Sequence, residues 1–439
     1  MTSTPRRAEG PVRAQNVIVV GAGVIGVTTA HALRADGHHV TLLEAAPTAA
    51  SGTSHANGGF LSAAFCAPWA MPGLPRQALA AVFDRAAPMR WRPDGSLAQL
   101  RWLRELLANC RADRFAAHRQ RLVRLALCSL AELRAVAGET GVAFDLREAG
   151  VLLLLPQAPP DAVIQQRLAS LRAFGLDAQW CEPAQVLELE PALARQGRPA
   201  WGLLVRDDAC GDCERFVQGL LAWNQARGLR FLPGSPVQAL ELEPGGRRLR
   251  AVRTPGQRWE ADAFVFATGV DTVRMLHPHL RLPVVPVKGY SVCADLAAQD
   301  HGPGHPGPQR AVIDDATKLA IAPLGARVRL AGMAEVVGHD RRVDRSRCEQ
   351  LVAHYEALYG PLPRREHRLW AGLRPMTADG TPIIGATRIE GLYLNTGHGT
   401  YGWTLACGSA RLLADILARR PGALEPADYA LDPALRRPH

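Results

Sequence analysis

The residues Gly21-Ala22-Gly23-Val24-Ile25-Gly26 restrict the fold of this chain more than any others. They stand between an apolar run, Val17-Ile18-Val19-Val20, and a helical pattern leading to a second run, Val40-Thr41-Leu42-Leu43, which ends in Glu44. Glycines at these positions allow a tight strand-to-helix turn that brings backbone N–H groups and a helix N-terminus against a pyrophosphate. An acid about 20 residues further on accepts from a ribose hydroxyl. The spacing predicts a βαβ unit that binds a dinucleotide through Val20, Gly21, Gly23, Val24, Ile25, Gly26, Glu44 and Ala45. Glu44 would repel the extra phosphate of NADP, but it does not separate FAD from NAD.

At 439 residues and 47% apolar content the chain can bury a large core and divide into two or three domains, or one domain with a large insertion. No apolar run approaches the roughly 18 residues that span a bilayer, since Val151–Leu155 stops at Pro156. Residues 1–15 carry arginines without the apolar core of a secretory signal, so they read as a flexible leader on a cytoplasmic protein. The nine cysteines are scattered, which suits reduced thiols better than a disulfide framework. Cys210 and Cys213 form the one CxxC. Without a second pair or a histidine partner they read as two thiols in a turn before a helix, and no metal is expected.

The net charge of +10 comes from 49 arginines and only two lysines against 41 acids, so arginine is the habitual cation of this chain and basicity alone says little. Placement says more. From Arg85 to Arg134 there are eleven arginines against four acids, interleaved with Trp91, Trp102, Phe115 and leucines at helical spacing. The segment 85–137 therefore predicts two amphipathic helices. They can lie peripherally on an anionic inner-membrane surface, or pack their apolar side on the core with the arginines solvated. No nucleic-acid-binding motif accompanies them.

Further along, apolar patterns predict a strand at 150–155, an amphipathic stretch at 161–174, a helix at 214–227, and short strands at 229–232, 236–243, 247–253 and 258–261. The strand 263–266 ends in Ala267-Thr268-Gly269, small residues that allow close backbone approach. Beyond 280, strands at 283–293, 318–323 and 327–337 are followed by a helix at 345–358. A last helix at 401–419 follows the glycine-rich Asn395-Thr396-Gly397-His398-Gly399. Such a second turn before a helix N-terminus can hold the electronegative pyrimidine end of a flavin, for which NAD has no counterpart. Residues 420–439, rich in Pro, Arg and Ala, read as an extended tail.

The fingerprint, Thr53–Gly59, Ala67–Gly73, Pro286–Ser291, Gly332-Met333-Ala334-Glu335, Gly372–Thr377 and Asn395–Thr400 together resemble the bacterial D-amino acid dehydrogenases of the FAD-dependent D-amino acid oxidase superfamily. The agreement runs in order from about Asn16 to Ala418. It implies a mixed α/β (α+β) fold, a Rossmann-like FAD-binding domain interleaved with an antiparallel-sheet substrate domain. The FAD part is expected at 16–75, 200–280 and 365–419, and the substrate part at 76–199 and 281–364. The resemblance also implies oxidation of a small D-amino acid to an imino acid, hydrolysed to a 2-oxo acid and ammonia, with electrons passed to a quinone or other acceptor. Ser54, Ala56, Asn57, Gly58, Gly59, Val237, Ala267, Thr268, Gly269, Gly372, Gly397, His398, Gly399, Thr400, Tyr401 and Gly402 complete the expected cofactor contacts.

Hydride transfer from Cα needs the substrate carboxylate held in place, and a planar guanidinium does so bidentately. Arg374, in a tight Gly-Leu-Arg-Pro turn, is the expected anchor. Tyr290 and Tyr401 are candidates to hydrogen-bond the substrate, or packing groups. Lys288 and Lys318, the only lysines in a chain that otherwise writes arginine, are candidates to tune the flavin or the amine, or members of ion pairs, and are expected in strands. His398 lines the flavin or the substrate pocket, or is a structural turn residue. His55 stands where related amine dehydrogenases that act on N-methyl glycines bond flavin covalently, but its flanks follow the D-amino acid dehydrogenases, so noncovalent FAD is expected. Two other functions stay open: a secondary-amine, glycine or sarcosine oxidase of the same superfamily, and a basic flavoprotein whose role is binding.

Overall fold

Asn16–Val20 (β1) is a β-branched run buried on both faces, as a strand in the middle of a parallel sheet must be. The computed structural model, which describes residues 13–75, 89–92, 94–196, 200–296, 307–362 and 367–431, puts it there. The strands of the two large sheets are, in chain order, β1, His39–Leu43 (β2), Met89–Trp91 (β3), Val151–Leu155 (β4), Ala178–Cys181 (β5), Trp201–Val205 (β6), Arg230–Leu232 (β7), Ala263–Phe266 (β8), Val284–Asp295 (β9), Ala311–Asp314 (β10), Leu319–Leu324 (β11), Arg327–Val336 (β12), Arg368–Thr377 (β13), Ile383–Ala386 (β14) and Leu392–Thr396 (β15). The first sheet has the order β14-β15-β8-β1-β2-β7 and is parallel except for β14.

Alternation along β1 divides the core in two. Val17 and Val19 pack toward Val24–Ala35 (α1), Ala112–Thr140 (α3), Cys213–Gln225 (α5) and Gly402–Leu417 (α7). Ile18 and Val20 pack with Val252 and Trp259 of a separate three-stranded antiparallel sheet. That small sheet holds three of the expected short strands, although 236–243 shrinks to Ala239–Leu242 and leaves Val237 in a loop, while 229–232 joins the first sheet as β7.

The second sheet runs β13-β9-β12-β11-β10-β4-β6-β5, with β3 on β12, and is antiparallel except at the β10–β4 and β12–β3 pairings. Arg345–Tyr359 (α6) packs on one face of it, and Asp161–Ala173 (α4) packs against β5. Two of its strands, β6 and β13, come from segments allotted above to the cofactor side. The Gly-Leu-Arg-Pro segment is thus not a turn but lies inside β13. Gly372 and Pro375 disguise the strand in the sequence, and β13 tolerates the proline because it is at a sheet edge.

The basic segment forms two helices, Leu97–Asn109 (α2) and α3; its residues 85–88 lie outside the described residues, as does the leader through residue 12. α3 buries Leu122, Leu125, Leu130 and Leu133 in the core, and its arginines are used: Arg121 pairs with the buried Asp428 at 3.2 Å, and Arg119 lies over the Phe174 ring. α2 buries Trp102 and Leu106 but exposes Leu97, Leu100 and Leu107. The expected tail is not extended over its described part. Tyr429 is buried, its hydroxyl donating to the Arg121 carbonyl at 2.9 Å.

Candidate functional site

The carboxyl ends of β1 and β8 meet the second sheet across a cavity of about 950 Å³. Its first end is built by the glycine turn. Gly21 has φ +101°, and a Cβ there would lie 2.8 Å from the Ala267 carbonyl oxygen; a Cβ on Gly26 would lie 1.7 Å from the Gly21 oxygen. Both positions therefore need glycine, the first for its backbone angle and the second for contact between α1 and the turn. Gly26 packs here rather than lining the cavity, and Gly397 is likewise behind its wall, with a Cβ position 2.9 Å from Thr377. Glu44 reaches back to the turn, accepting from the Ala22 N–H at 2.6 Å and the Ala46 N–H at 2.9 Å. The Val24 N–H donates to Ser54 Oγ at 3.0 Å, tying the start of α1 to the 53–59 segment.

Around this end lie Val20, Gly21, Gly23, Val24, Ile25, Glu44, Ala45, Ser54, Ala56, Asn57, Gly58, Gly59, Val237, Ala267, Thr268 and Gly269, all on the cavity wall. The second glycine turn comes from the opposite end of the chain and joins the same wall through His398, Gly399, Thr400, Tyr401 and Gly402. His398 is buried and bonded through Nε2 to Ser409 Oγ at 3.0 Å; burial lowers its pKa to about 3, so it is a neutral wall residue. Sequence reasoning missed Asn395 as a wall residue, although it opens the quoted glycine-rich segment. Its Nδ2 donates to Thr29 Oγ1 at 2.9 Å, while its buried Oδ1 has no partner among the described residues. The Trp370 indole N–H, also buried on this wall, has none either. Unpaired buried polar atoms along a glycine-lined cleft suit a long polar ligand.

The floor of the other half is formed by β9, β12 and β13. Arg374 is paired in register with Val287, and its side chain crosses β9 over Gly289, where a Cβ would be only 2.3 Å from the guanidinium. Nη1 donates to the Met333 carbonyl on β12 at 2.9 Å. Among the described residues no carboxylate pairs with this arginine. Burial lowers its pKa to about 10, so it is a charged guanidinium on the cavity wall at neutral pH. Phe60, Phe65, Trp69, Ile313, Ala320 and Ala331 supply apolar wall. Tyr401 stands beside Arg374, with its hydroxyl donating to the Ala67 carbonyl at 2.9 Å and its pKa raised by burial.

Tyr290, Lys288 and Lys318 are engaged by protein partners, in line with the packing and ion-pair readings the sequence left open. Strand alternation puts Gly289 on the Arg374 side of β9 and turns Lys288 and Tyr290 toward α6. Tyr290 borders the cavity, but its hydroxyl donates to Glu335 at 2.9 Å, and burial followed by that bond raises its pKa. Lys288 is buried over the Tyr290 ring and pairs with Asp340 at 3.4 Å. Lys318 is not in a strand; it sits in the turn before β11 at φ +57°, on the cavity rim, with its exposed ammonium 2.6 Å from Asp315. His55 does not line the cavity, and its Nδ1 lies 2.8 Å from Glu214.

Comparison with known proteins follows the same lines. The family model described as FAD dependent oxidoreductase (DAO) matches residues 16–416. The chain is 38% identical over 417 residues to a D-amino acid dehydrogenase of Rhizobium johnstonii, covering 94% of this chain and 99% of that one. It is 40% identical over 421 residues to a D-amino acid dehydrogenase of Cereibacter sphaeroides, covering 95% and 94%. Among solved structures, glycine oxidase from Geobacillus kaustophilus superposes with a TM-score of 0.74 at 23% identity, over 95% of this chain and 98% of that one. L-proline dehydrogenase from P. horikoshii superposes with a TM-score of 0.72 at 17% identity, over 95% and 96%. These two likenesses concern the fold.

Proposed function

The chain belongs to the DAO family of FAD-dependent oxidoreductases, and from that premise we propose that it oxidises small apolar D-amino acids to 2-oxo acids and ammonia, passing the electrons to a quinone or a similar acceptor. The observation that carries the reading is Arg374, a half-buried and partly desolvated guanidinium on the cavity wall with no carboxylate partner among the described residues. A desolvated cation is costly unless an anion joins it, and a substrate carboxylate supplies one in the fork geometry a guanidinium prefers.

The cofactor site fits FAD: two glycine turns far apart in sequence share one elongated cleft, and Glu44, Asn395 and Trp370 offer polar atoms along it. The turn Gly21–Gly26 would hold the pyrophosphate, Glu44 a ribose hydroxyl, and the second turn with the start of α7 the pyrimidine end. When bound, FAD accepts the hydride from the substrate Cα. The chain's own part is positioning. Arg374 fixes the carboxylate and so the placement of Cα, while Phe60, Phe65, Trp69 and Ile313 exclude water and favour an apolar side chain. Both wall tyrosines commit their protons to protein acceptors, Glu335 and the Ala67 carbonyl, so toward a substrate their oxygens can only accept.

Peripheral membrane contact belongs to the same proposal. α2 exposes Leu97, Leu100 and Leu107 among Arg101 and Arg104, a mixture suited to an anionic lipid surface where quinone resides. Among the described residues no helix is long and apolar enough to cross a membrane. Anaerobic mixing of the flavin-loaded protein with D- and L-amino acids and N-methyl glycines tests the activity. Bleaching of flavin absorbance by D-amino acids alone, with reoxidation by a quinone analogue faster than by air, is the expected result. Bleaching only by sarcosine or glycine, or by no amine, overturns it.

A further inference from the structure

Arg374 does not point at the cavity by its own rotamer alone. Tyr290 pairs with Gly332, but Lys288 pairs with Glu335, so β9 advances two residues while β12 advances three. Met333 and Ala334 therefore both face Gly289: a β-bulge, with Met333 in the left-handed region at φ +62°. On the far side of the bulge β12 stops pairing with β11 and takes β3 as its parallel neighbour, Ala334 opposite Met89 and Glu335 opposite Arg90.

The bulge has two results. It frees the Met333 carbonyl from the regular ladder at the point where the Arg374 guanidinium, lying over Gly289, donates to it at 2.9 Å. It also advances Glu335 by one residue, onto the face of Tyr290. There its carboxylate accepts from the Tyr290 hydroxyl at 2.9 Å and from Arg347 Nε of α6 at 2.7 Å, and lies 3.9 Å from Arg90. This buried cluster pins both strands on either side of the extra residue.

From this arrangement we infer that the β12 bulge is a built positioning device for substrate recognition: Met333, locked by the Glu335–Tyr290–Arg347 cluster, presents the carbonyl that orients Arg374 toward the substrate carboxylate. The inference rests on the reading of Arg374 as that anchor. A guanidinium that spends one N–H on a fixed carbonyl has its fork set before the substrate arrives, so less ordering is paid on binding. Met333 and Glu335 are positioning residues and not catalytic ones.

The test is calorimetric titration of the flavin-loaded protein with propanoate, a carboxylate without an amine, and with propanamide as the neutral control, run beside steady-state kinetics. A β-branched residue is poorly accommodated at positive φ whereas glycine is not. Met333→Val should raise the propanoate Kd and the amino acid KM roughly tenfold, with kcat changed much less, and Met333→Gly, which keeps the positive φ, should raise them clearly less than Met333→Val does. Propanamide binding should not distinguish the variants. Should Met333→Val fail to load flavin, Glu335→Gln, which keeps the volume and loses the charge that clamps Arg347, should still raise the propanoate Kd several-fold. Propanoate affinity insensitive to Met333→Val, or to Glu335→Gln where the first variant does not load, overturns the bulge assignment if Arg374→Ala abolishes binding. Propanoate affinity insensitive to Arg374→Ala overturns the anchor reading itself.

Discussion

Gly289→Ala is the sharpest single perturbation of the site. The added Cβ would fall 2.3 Å from both terminal nitrogens of Arg374 and 2.4 Å from its Cζ. Ordinary carbon contacts are about 3.5–4.0 Å, so the guanidinium must retreat by about 1 Å or more. It cannot do so and keep its 2.9 Å bond to the Met333 carbonyl, because hydrogen bonds weaken steeply beyond roughly 3.2 Å. The displaced fork then meets the substrate carboxylate off its bidentate geometry. Charge-assisted bonds contribute about 1.5–3 kcal/mol, and each 1.4 kcal/mol is about tenfold, so kcat/KM for a D-amino acid should fall by roughly 10- to 150-fold. The assay is quinone-analogue reduction over a range of amino acid concentrations, normalised to flavin content, which should stay near that of the parent because Gly289 faces the arginine. A flavin-loaded variant with kcat/KM within twofold of the parent would refute both the placement of Arg374 and its role.

Other consequences are as definite. Glu44→Ala removes the acceptor of two backbone N–H groups at the cofactor turn, which should weaken FAD by about 1–3 kcal/mol, or roughly 5- to 150-fold in Kd by flavin titration; unchanged affinity would show the turn to be self-supporting. Because His55 is held outside the cavity by Glu214, acid precipitation should release all flavin to the supernatant and His55→Ala should not change flavin content; yellow pellet would contradict this. Asp208, buried beneath Ser62 and the Ala63 N–H, has its pKa pushed up to about 7 by burial, against about 3.9 for an unfolded carboxyl. The folded state then holds the proton more tightly than the unfolded one, so stability should fall as pH rises from about 4 to 7 and level off above. Asp208→Asn should flatten part of that slope in melting temperatures, leaving the share of Glu190, raised to about 7 for the same reason; an identical slope in the variant would refute the assignment.

What the amino-acid order determined by itself is local. Glycines at 21, 23 and 26 after a β-branched run leave few conformations other than the strand–turn–helix found, and the small residues at 267–269 and the glycines at 397, 399 and 402 mark where backbone must come close. Helices at 97–109, 112–140, 213–225, 345–359 and 402–417 followed from their apolar periodicity. The strand β13 did not, because Gly372 and Pro375 suppress the local signal while pairing along β9 supplies the stabilisation. Tertiary structure decided which candidates became neighbours. Lys288, Gly289 and Tyr290 are adjacent in sequence, yet alternation in an antiparallel sheet sends the lysine and tyrosine toward α6 and leaves the glycine under Arg374. Nothing in a residue's identity encodes that face; it is fixed by register with β12 and β13, strands 40 to 90 residues away. The same holds for the extra residue at Met333, whose bulge exists only in relation to its partner strand. Of 49 arginines, the sequence could single out Arg374 by its motif, but only the fold leaves it half-buried at a cavity, bonded to one carbonyl and without a carboxylate partner among the described residues.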